Sequence, residues 1–413
     1  MIEFIETYLV PLLVMITGGY FLIKTRCFFI FDPKRFIRGL KYKNGEGDTS
    51  PVKAMTLALA GTLGVGNIVG IGGAIALGGA GALFWMWVSC IFAMIIKYAE
   101  VTVALHNKNG RNDRRGGPMY YIKTPLFAFI FTILCLICSL TLGGAIQCEA
   151  VYGSMLSTWN IPPFVSSVII SAAVLPVILM GKQKIVDMTS KIVPIMSGVY
   201  AFMCIMVIII SKNRLPEVFS LIFKSAFDFP AVMAGGGWAA VRYGVLRGLI
   251  SNEAGCGTAP IAHSSTKTDC PSAQGCFGIL EVFFDTAVLC SLTGLSILLV
   301  QPEGEGILGI INCFSPVFGS ISGILISVSV FFFAFATMIC WFYYGEECIL
   351  FIYGKGAVKP FAFVFCIFTA LTPLFPSNTL WQITDLAVAL MTVINLFALI
   401  KYRNVPVDQL RRL

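Results

Sequence analysis

The sequence predicts an all-α integral membrane protein of about eleven transmembrane helices. Ten of them are expected to form a 5+5 inverted repeat containing two broken helices, behind one extra N-terminal helix. Three observations predict this. Of 413 residues, 57% are hydrophobic and only 12% are charged, with mean hydropathy +0.86, whereas soluble domains carry about 25% charged residues. Apolar stretches long enough to cross a bilayer, about 20 residues each, recur along the whole chain. Two of these stretches are interrupted at mid-length by glycines and small polar residues.

Taken in order, the candidate spans cover 6–31, 51–79, 82–106, 124–156, 163–181, 187–211, 236–263, 273–300, 315–352, 357–375 and 378–401. The first is expected to stay in place, because Met1 to Val10 carries Glu3 and Glu6 where a cleavable leader needs basic residues. Pro11, Pro176, Pro194 and Pro373 fall inside spans, where neighbouring helices satisfy the freed backbone groups. Cys135 and Cys138 form a CxxC inside an apolar helix, without the context that metal or redox chemistry needs. The 14 cysteines read as small apolar residues.

The organisation follows from these spans. Residues 1–50 hold the extra helix and a cytoplasmic linker, and 51–211 the first repeat. Residues 212–235 form an extracellular connector, 236–401 the second repeat and 402–413 a cytoplasmic tail. Each half opens on a broken span and contains an odd number of spans, so the halves face opposite ways. Orientation follows from Lys and Arg. With the N-terminus outside a plasma or inner membrane, the inside segments hold most of the 29 basic residues. These include Lys24, Arg26, Lys34, Arg35, Arg38, Lys41, Lys43 and Lys53, and later Lys267, Lys355 and Lys359. Lys212, Arg214 and Lys224 fall outside, and Lys97, Arg242 and Arg247 lie within spans. The net charge of +8 therefore sits in loops between spans and is no signal for nucleic acid.

The breaks carry the chemistry. The first runs from Ala60 to Gly70 and the second from Leu249 to Pro260. An unpaired backbone group in lipid costs several kcal/mol, so unwound backbone survives only where it lines a protein-walled cavity. Two breaks at corresponding places point to the substrate and ion site of a secondary transporter. Gly61, Gly64 and Gly66 let the backbone unwind. Freed N–H groups there suit a carboxylate, helped by the positive end of the next half-helix. Freed carbonyls, from Ala60 to Leu63, suit a cation, and Thr62 and Asn67 add side-chain oxygens. Close helix packing explains Gly70, Gly73 and Gly78, but not the Gly–Thr–x–Gly–x–Gly–Asn cluster. A dinucleotide fold is excluded, since its glycines need a soluble strand–turn–helix.

In the second break, Ser251, Asn252, Glu253, Gly255, Cys256 and Gly257 form the counterpart, with carbonyls suited to an ammonium. Glu253 reads either as a cap on the broken helix or as half of a gate ion pair. Arg242 and Arg247 precede it and either meet an acid or carboxylate or snorkel to the interface. His106 and His263 read as polar boundary residues near helix ends. A channel would need rings of charge or carbonyls along a pore, and an enzyme a nucleophile with a base in reach. Neither pattern is present in the sequence.

Several ordered stretches resemble the sodium:alanine symporter family, the alanine or glycine:cation symporters of the amino acid–polyamine–cation superfamily. They are Gly61–Ile68 (GTLGVGNI), Ala76–Val88 (ALGGAGALFWMWV), Lys97–Thr102 (KYAEVT), Arg115–Ile122 (RGGPMYYI), Arg247–Gly255 (RGLISNEAG) and Trp341–Glu346 (WFYYGE). The resemblance covers about residues 10 to 350. It implies a LeuT-type fold, no cofactor, and uptake of a small neutral amino acid coupled to Na+, with H+ as the alternative ion. It implies that Gln147 touches substrate, that Thr337 lends a hydroxyl to the sodium or substrate site, that Trp341 closes the pocket, and that Asp285 matches a family acid.

The chain departs from the family pattern at four places. Glu149 replaces an Asn, Cys256 a common Met, Ala336 a Thr, and Glu281 a small residue. An acid at mid-membrane normally faces a cavity and a partner, and Arg242 and Arg247 are the expected partners. Glu149 alternatively takes a proton or second cation, or admits a more polar substrate. A non-transporting sensor of the same fold is a further reading of these departures.

Overall fold

The structure, a computed structural model, describes residues 8–42, 49–108, 115–227, 237–266 and 268–413. Lys43, Lys267 and residues 228–235 of the connector lie outside the described residues. All regular elements among the described residues are helical. Among the described residues, six helices have the length and apolar composition of a membrane span.

Helix α1 (Val10–Lys24) is shorter than its expected span, because Arg26 and Cys27 take left-handed backbone angles (φ 54° and 46°) and turn the chain. Next comes α2 (Pro33–Lys41), started by Asp32, whose carboxylate accepts from Arg35 N–H at 3.2 Å. The linker is thus partly helical. The first broken pair is α3 (Pro51–Thr62) and α4 (Val69–Gly78), with one 3-10 turn, Val65–Asn67, between them. Ser50 caps α3 through Lys53 N–H at 3.3 Å.

The rest of the first half comprises α5 (Gly81–Lys108), α6 (Pro125–Trp159), α7 (Pro163–Leu179) and α8 (Lys182–Ile210). The connector is not featureless, since it holds α9 (Leu215–Ala226). The second broken pair is α10 (Gly237–Asn252) and the short α11 (Ala259–His263). Helix α12 (Pro271–Val300) follows.

The expected span 315–352 is corrected. Pro316 and Gly319 (φ 58°) divide it into α13 (Gly306–Phe318) and α14 (Ser322–Ile352). Helices α15 (Val358–Ala370), α16 (Ser377–Lys401) and α17 (Asn404–Arg411) complete the chain, so the expected tail is helical too.

The core forms where α5 lies against α10 and α12, and where α14 lies against α3, α6 and α8. Residues Phe333 to Leu350 of α14 are almost wholly buried, while outer helices present Ile195 and Phe202 outward. Two helices widen locally into π turns, α6 at Ser139–Ala145 and α12 at Phe283–Cys290. Such bulges re-aim side chains and recur at functional sites. Both border the broken segments described next.

Candidate functional site

The first break is held from two sides. Leu63 leaves helical geometry (ψ 71°) and Gly64 is extended (φ −109°, ψ −163°). A Cβ on Gly64 would stand 2.9 Å from Gln147 Oε1 and 3.0 Å from Thr337 Oγ1, so only glycine lets these two side chains reach the backbone. Val65 N–H donates to Gln147 Oε1 at 3.2 Å. Gln147 is itself oriented by donating to the Leu142 carbonyl in the π turn at 3.1 Å. Thr337 Oγ1 donates to the Leu63 carbonyl at 3.4 Å. Thr62 bonds back to the Leu59 carbonyl at 3.4 Å, and Ala60 stays buried in the last turns of α3.

A polar knot joins this break to the second one. Asn67 Nδ2 donates to Asp285 Oδ1 at 2.7 Å and reaches Ser251 Oγ at 3.1 Å. Ser251 and Thr286 hydroxyls donate to Asp285 Oδ2 at 3.0 and 2.7 Å, and Asn252 Nδ2 donates to Thr286 Oγ1 at 3.0 Å. Every member is buried, and Asn67 Oδ1 has no partner among the described residues. Asp285 thus meets neutral donors only. One carboxylate, an amide oxygen and hydroxyls form a donor set that suits a hard cation.

The second break is a strained stretch. Glu253, Gly255 and Gly257 take φ of 53°, 88° and 88°. Glycine adopts such angles freely, whereas a glutamate there is strained and must be held by its surroundings. Thr258 Oγ1 donates to Glu253 Oε2 at 2.5 Å across the turn, and Ala254 N–H donates to Asn252 Oδ1 at 3.0 Å. Glu100 of α5 accepts from Gly257 N–H at 3.1 Å. Asn395 of α16 donates to the Gly255 carbonyl at 2.8 Å and to Glu100 at 2.5 Å, and Tyr121 donates to Asn395. Two helices far apart in sequence therefore splint the unwound backbone.

A buried charge cluster lies beside it. Lys97 Nζ stands 3.0 Å from Glu281 Oε1, and His263 Nε2 stands 3.1 Å from Glu281 Oε2, all at most 1% exposed. Gln274 Nε2 lies 2.8 Å from His263 Nδ1. These partners assign the tautomer with its proton on Nε2, donating to Glu281 and accepting from Gln274. The expected arginine partner for Glu281 is thereby corrected, since Lys97 from the facing helix α5 is nearer. His263 is likewise no boundary residue but fully buried.

Between the breaks lies a chamber of about 40 Å³, bordered by Gly64, Gly66, Gln147, Ser251, Glu253 and Arg247. It holds a few waters at most. Beyond it opens a vestibule of about 750 Å³. Gly66, Ile146, Arg247 and Trp381 border both spaces, and the Arg247 guanidinium lies over the Trp381 ring, 5.6 Å from its centroid.

Several predicted residues fall outside the chamber. Glu149 borders the vestibule, with Oε2 buried and without a partner among the described residues. Gln147 and Glu149 lie two residues apart on one helix, so they point to different sides. Cys256 borders a separate cleft with Val10 and Asp385. Gly255 faces Leu396, and Gly257 faces Pro118 and Phe131. Trp341 packs onto Gly143 in the π turn and against Tyr344, at 5.4 Å between rings. Arg242 lies over Tyr243, 5.2 Å from its ring centroid. Sequence reasoning missed Lys97, Glu100, Thr286, Trp381 and Asn395 as members of the site. A lysine and a glutamate three residues apart in an apolar span were the available signal for the first two.

Comparison with known proteins adds the family. The profile described as "Sodium:alanine symporter family" matches residues 1–412. An uncharacterized transporter of Haemophilus influenzae is 34% identical, over 97% of this chain and 92% of that protein. The sodium/alanine symporter AgcS of Methanococcus maripaludis is 31% identical, over 89% of this chain and 84% of that protein. Among solved structures, a Na+-coupled sialic acid symporter in a substrate-bound outward-open state superposes with TM-score 0.62. The overlap covers 91% of this chain and 85% of that one at 13% identity, a likeness of fold alone.

Proposed function

This chain belongs to the sodium:alanine symporter family, and from that premise we propose that it takes up a small neutral amino acid together with Na+ by alternating access. It is a multi-pass membrane transporter for amino acids, cation-coupled and not an enzyme. The finer reading is ours. The two broken pairs, α3–α4 and α10–α11, open the two halves of a LeuT-type 5+5 inverted repeat behind the extra helix α1. The N-terminus faces outward and the C-terminus the cytoplasm.

The substrate carboxylate meets the backbone N–H of Gly66 and takes over Val65 N–H from Gln147 Oε1, which holds it without substrate. The ammonium turns to the carbonyl side of the Ser251–Glu253 turn. One cation sits among Asn67, Ser251 and Asp285. A second oxygen set, the Ala60 and Leu63 carbonyls with the Thr337 hydroxyl, suits the same ion. Arg247 and Trp381 part on the way in and meet again behind the substrate. The gradient of the coupling ion supplies the work, with the membrane potential adding about 2.3 kcal/mol per charge per 100 mV.

The observation that carries this reading is the knot of Asn67, Ser251 and Asp285. It ties the two unwound segments together beside a narrow chamber, so cation and substrate occupancy are felt by both halves at once. Uptake of labelled alanine into proteoliposomes tests it. An imposed inward Na+ gradient is expected to drive accumulation that collapses when the gradient is abolished. Equal accumulation without any cation gradient ends the reading.

A second reading has one observation in its favour. The partnerless oxygen of Glu149 in the vestibule favours a more polar substrate, or H+ in place of Na+. Competition by amino acids with cationic side chains, compared between the native chain and Glu149→Gln, separates it from the first.

A further inference from the structure

A second cavity lies away from the transport site, at the end of the molecule where α3 and α8 begin. There Lys53 and Asp187 pair at 2.7 Å and tie those two helix starts together. The recess has a volume of about 330 Å³. Four cations from three separate segments border it: Arg115, Lys182, and Lys355 with Lys359, against Glu346. Lys182 pairs with Glu347 and lies over the Tyr343 ring, 5.7 Å from its centroid. One cation is thus held in place by a buried acid. Lys355 and Lys359 are exposed and have neither hydrogen bond nor ion pair among the described residues.

Two helices also start at this recess. The N-caps of α8 and α15, Gly181 and Ala357, offer no side-chain acceptor. At α8 the first N–H groups therefore remain available to an anion and add partial positive charge, whereas at α15 Val358 N–H already bonds the Lys355 carbonyl. The lip of the recess is apolar, with Leu179 and Met180 exposed at 42% and 66%. Two partnerless lysines facing one cavity repel each other unless an anion joins them. An anion with hydrocarbon attached satisfies both the charge and the lip.

We propose that this recess binds the phosphate head group of an anionic phospholipid, with the acyl chains running along the Leu179–Met180 side. A basic pocket between membrane helices on the cytoplasmic side is where such lipids are recognised. The position at the inner ends of α8, α14 and α15 places the lipid where these helices meet. Lipid binding there goes beyond the transport reading and is independent of which amino acid is carried.

Full-length protein in phosphatidylcholine nanodiscs, titrated with phosphatidylglycerol and followed by thermal unfolding and native mass spectrometry, tests it. Phosphatidylglycerol is expected to raise the midpoint and to stay bound, while added phosphatidylcholine does neither. Lys355→Gln alone is expected to weaken the lipid about fivefold, and Lys355→Gln with Lys359→Gln about 30-fold. Lys401→Gln, an exposed lysine outside the recess, is expected to leave affinity unchanged. Equal effects of the two lipids overturn the proposal, as does undiminished affinity in the double variant. An equal loss in Lys401→Gln would assign the effect to diffuse surface charge and also overturn it. If soluble glycerol phosphate stabilises as strongly as the lipid, the site takes free phosphate and the lipid assignment fails.

Discussion

Among the described residues Asp285 accepts hydrogen bonds from neutral side chains only, so its carboxylate is a negative charge without a counter-ion between the two breaks. Asp285→Asn keeps the shape and removes the charge. The Na+ concentration for half-maximal alanine uptake is expected to rise at least about tenfold, while the chain still elutes as a folded monodisperse species. Unchanged Na+ dependence would place the cation elsewhere. Glu281 answers a different question. Removing one partner of a buried ion pair strands the other, at about 3–5 kcal/mol. Glu281→Gln should therefore lower thermal stability markedly by leaving Lys97 unpaired in the core. Lys97→Met combined with Glu281→Gln should recover most of that loss, since it removes the stranded ammonium and keeps an acceptor for His263 Nε2.

At the scale of elements, the second break is a stretch of left-handed backbone held by α5 and α16. Gly255 and Gly257 share φ 88°, but their surroundings differ. A Cβ on Gly257 meets Pro118 at 2.6 Å, and one on Gly255 meets Leu396 at 3.3 Å. Backbone strain of about 1–3 kcal/mol applies to both substitutions, and overpacking of a similar size adds only at 257. Gly257→Ala is thus expected to melt lower than Gly255→Ala in detergent. Equal melting points would mean that Pro118 yields freely.

The positions of the breaks were legible in the chain, because glycines clustered with small polar residues inside an apolar span mark backbone that leaves the helix. The direction each break residue faces was not legible. Glu149 and Cys256 were expected at the pocket, yet one borders the vestibule and the other a cleft beside Val10. Backbone phase through an unwound stretch departs from regular periodicity, so spacing does not report which way Cys256 faces, whereas Glu149 follows plain helix spacing, two residues from Gln147.

For the molecule as a whole, a vestibule of about 750 Å³ leads to a chamber of about 40 Å³, so the wider opening lies on the vestibule side. Alternating access then predicts state-dependent exposure of the vestibule wall. The chain has low thiol background, since all its cysteines except Cys27 are buried. Ala150→Cys should react with a membrane-impermeant thiol reagent added outside. The reaction should slow several-fold when Na+ and alanine are present together, but not with either alone. A rate insensitive to both would argue against movement of the two halves about the chamber.

Sequence alone determined the membrane class, the approximate spans, the two interruptions and the family resemblance, because these depend on local hydrophobicity and on residue types in short ordered motifs. Only the tertiary structure decided that Lys97 answers Glu281, that Asn67 meets Asp285, and that Glu100 and Asn395 splint the second break. Each of these pairs is made by segments far apart in the chain. Helix packing selects which polar faces meet, and in a medium without water most buried polar groups find their partners among them.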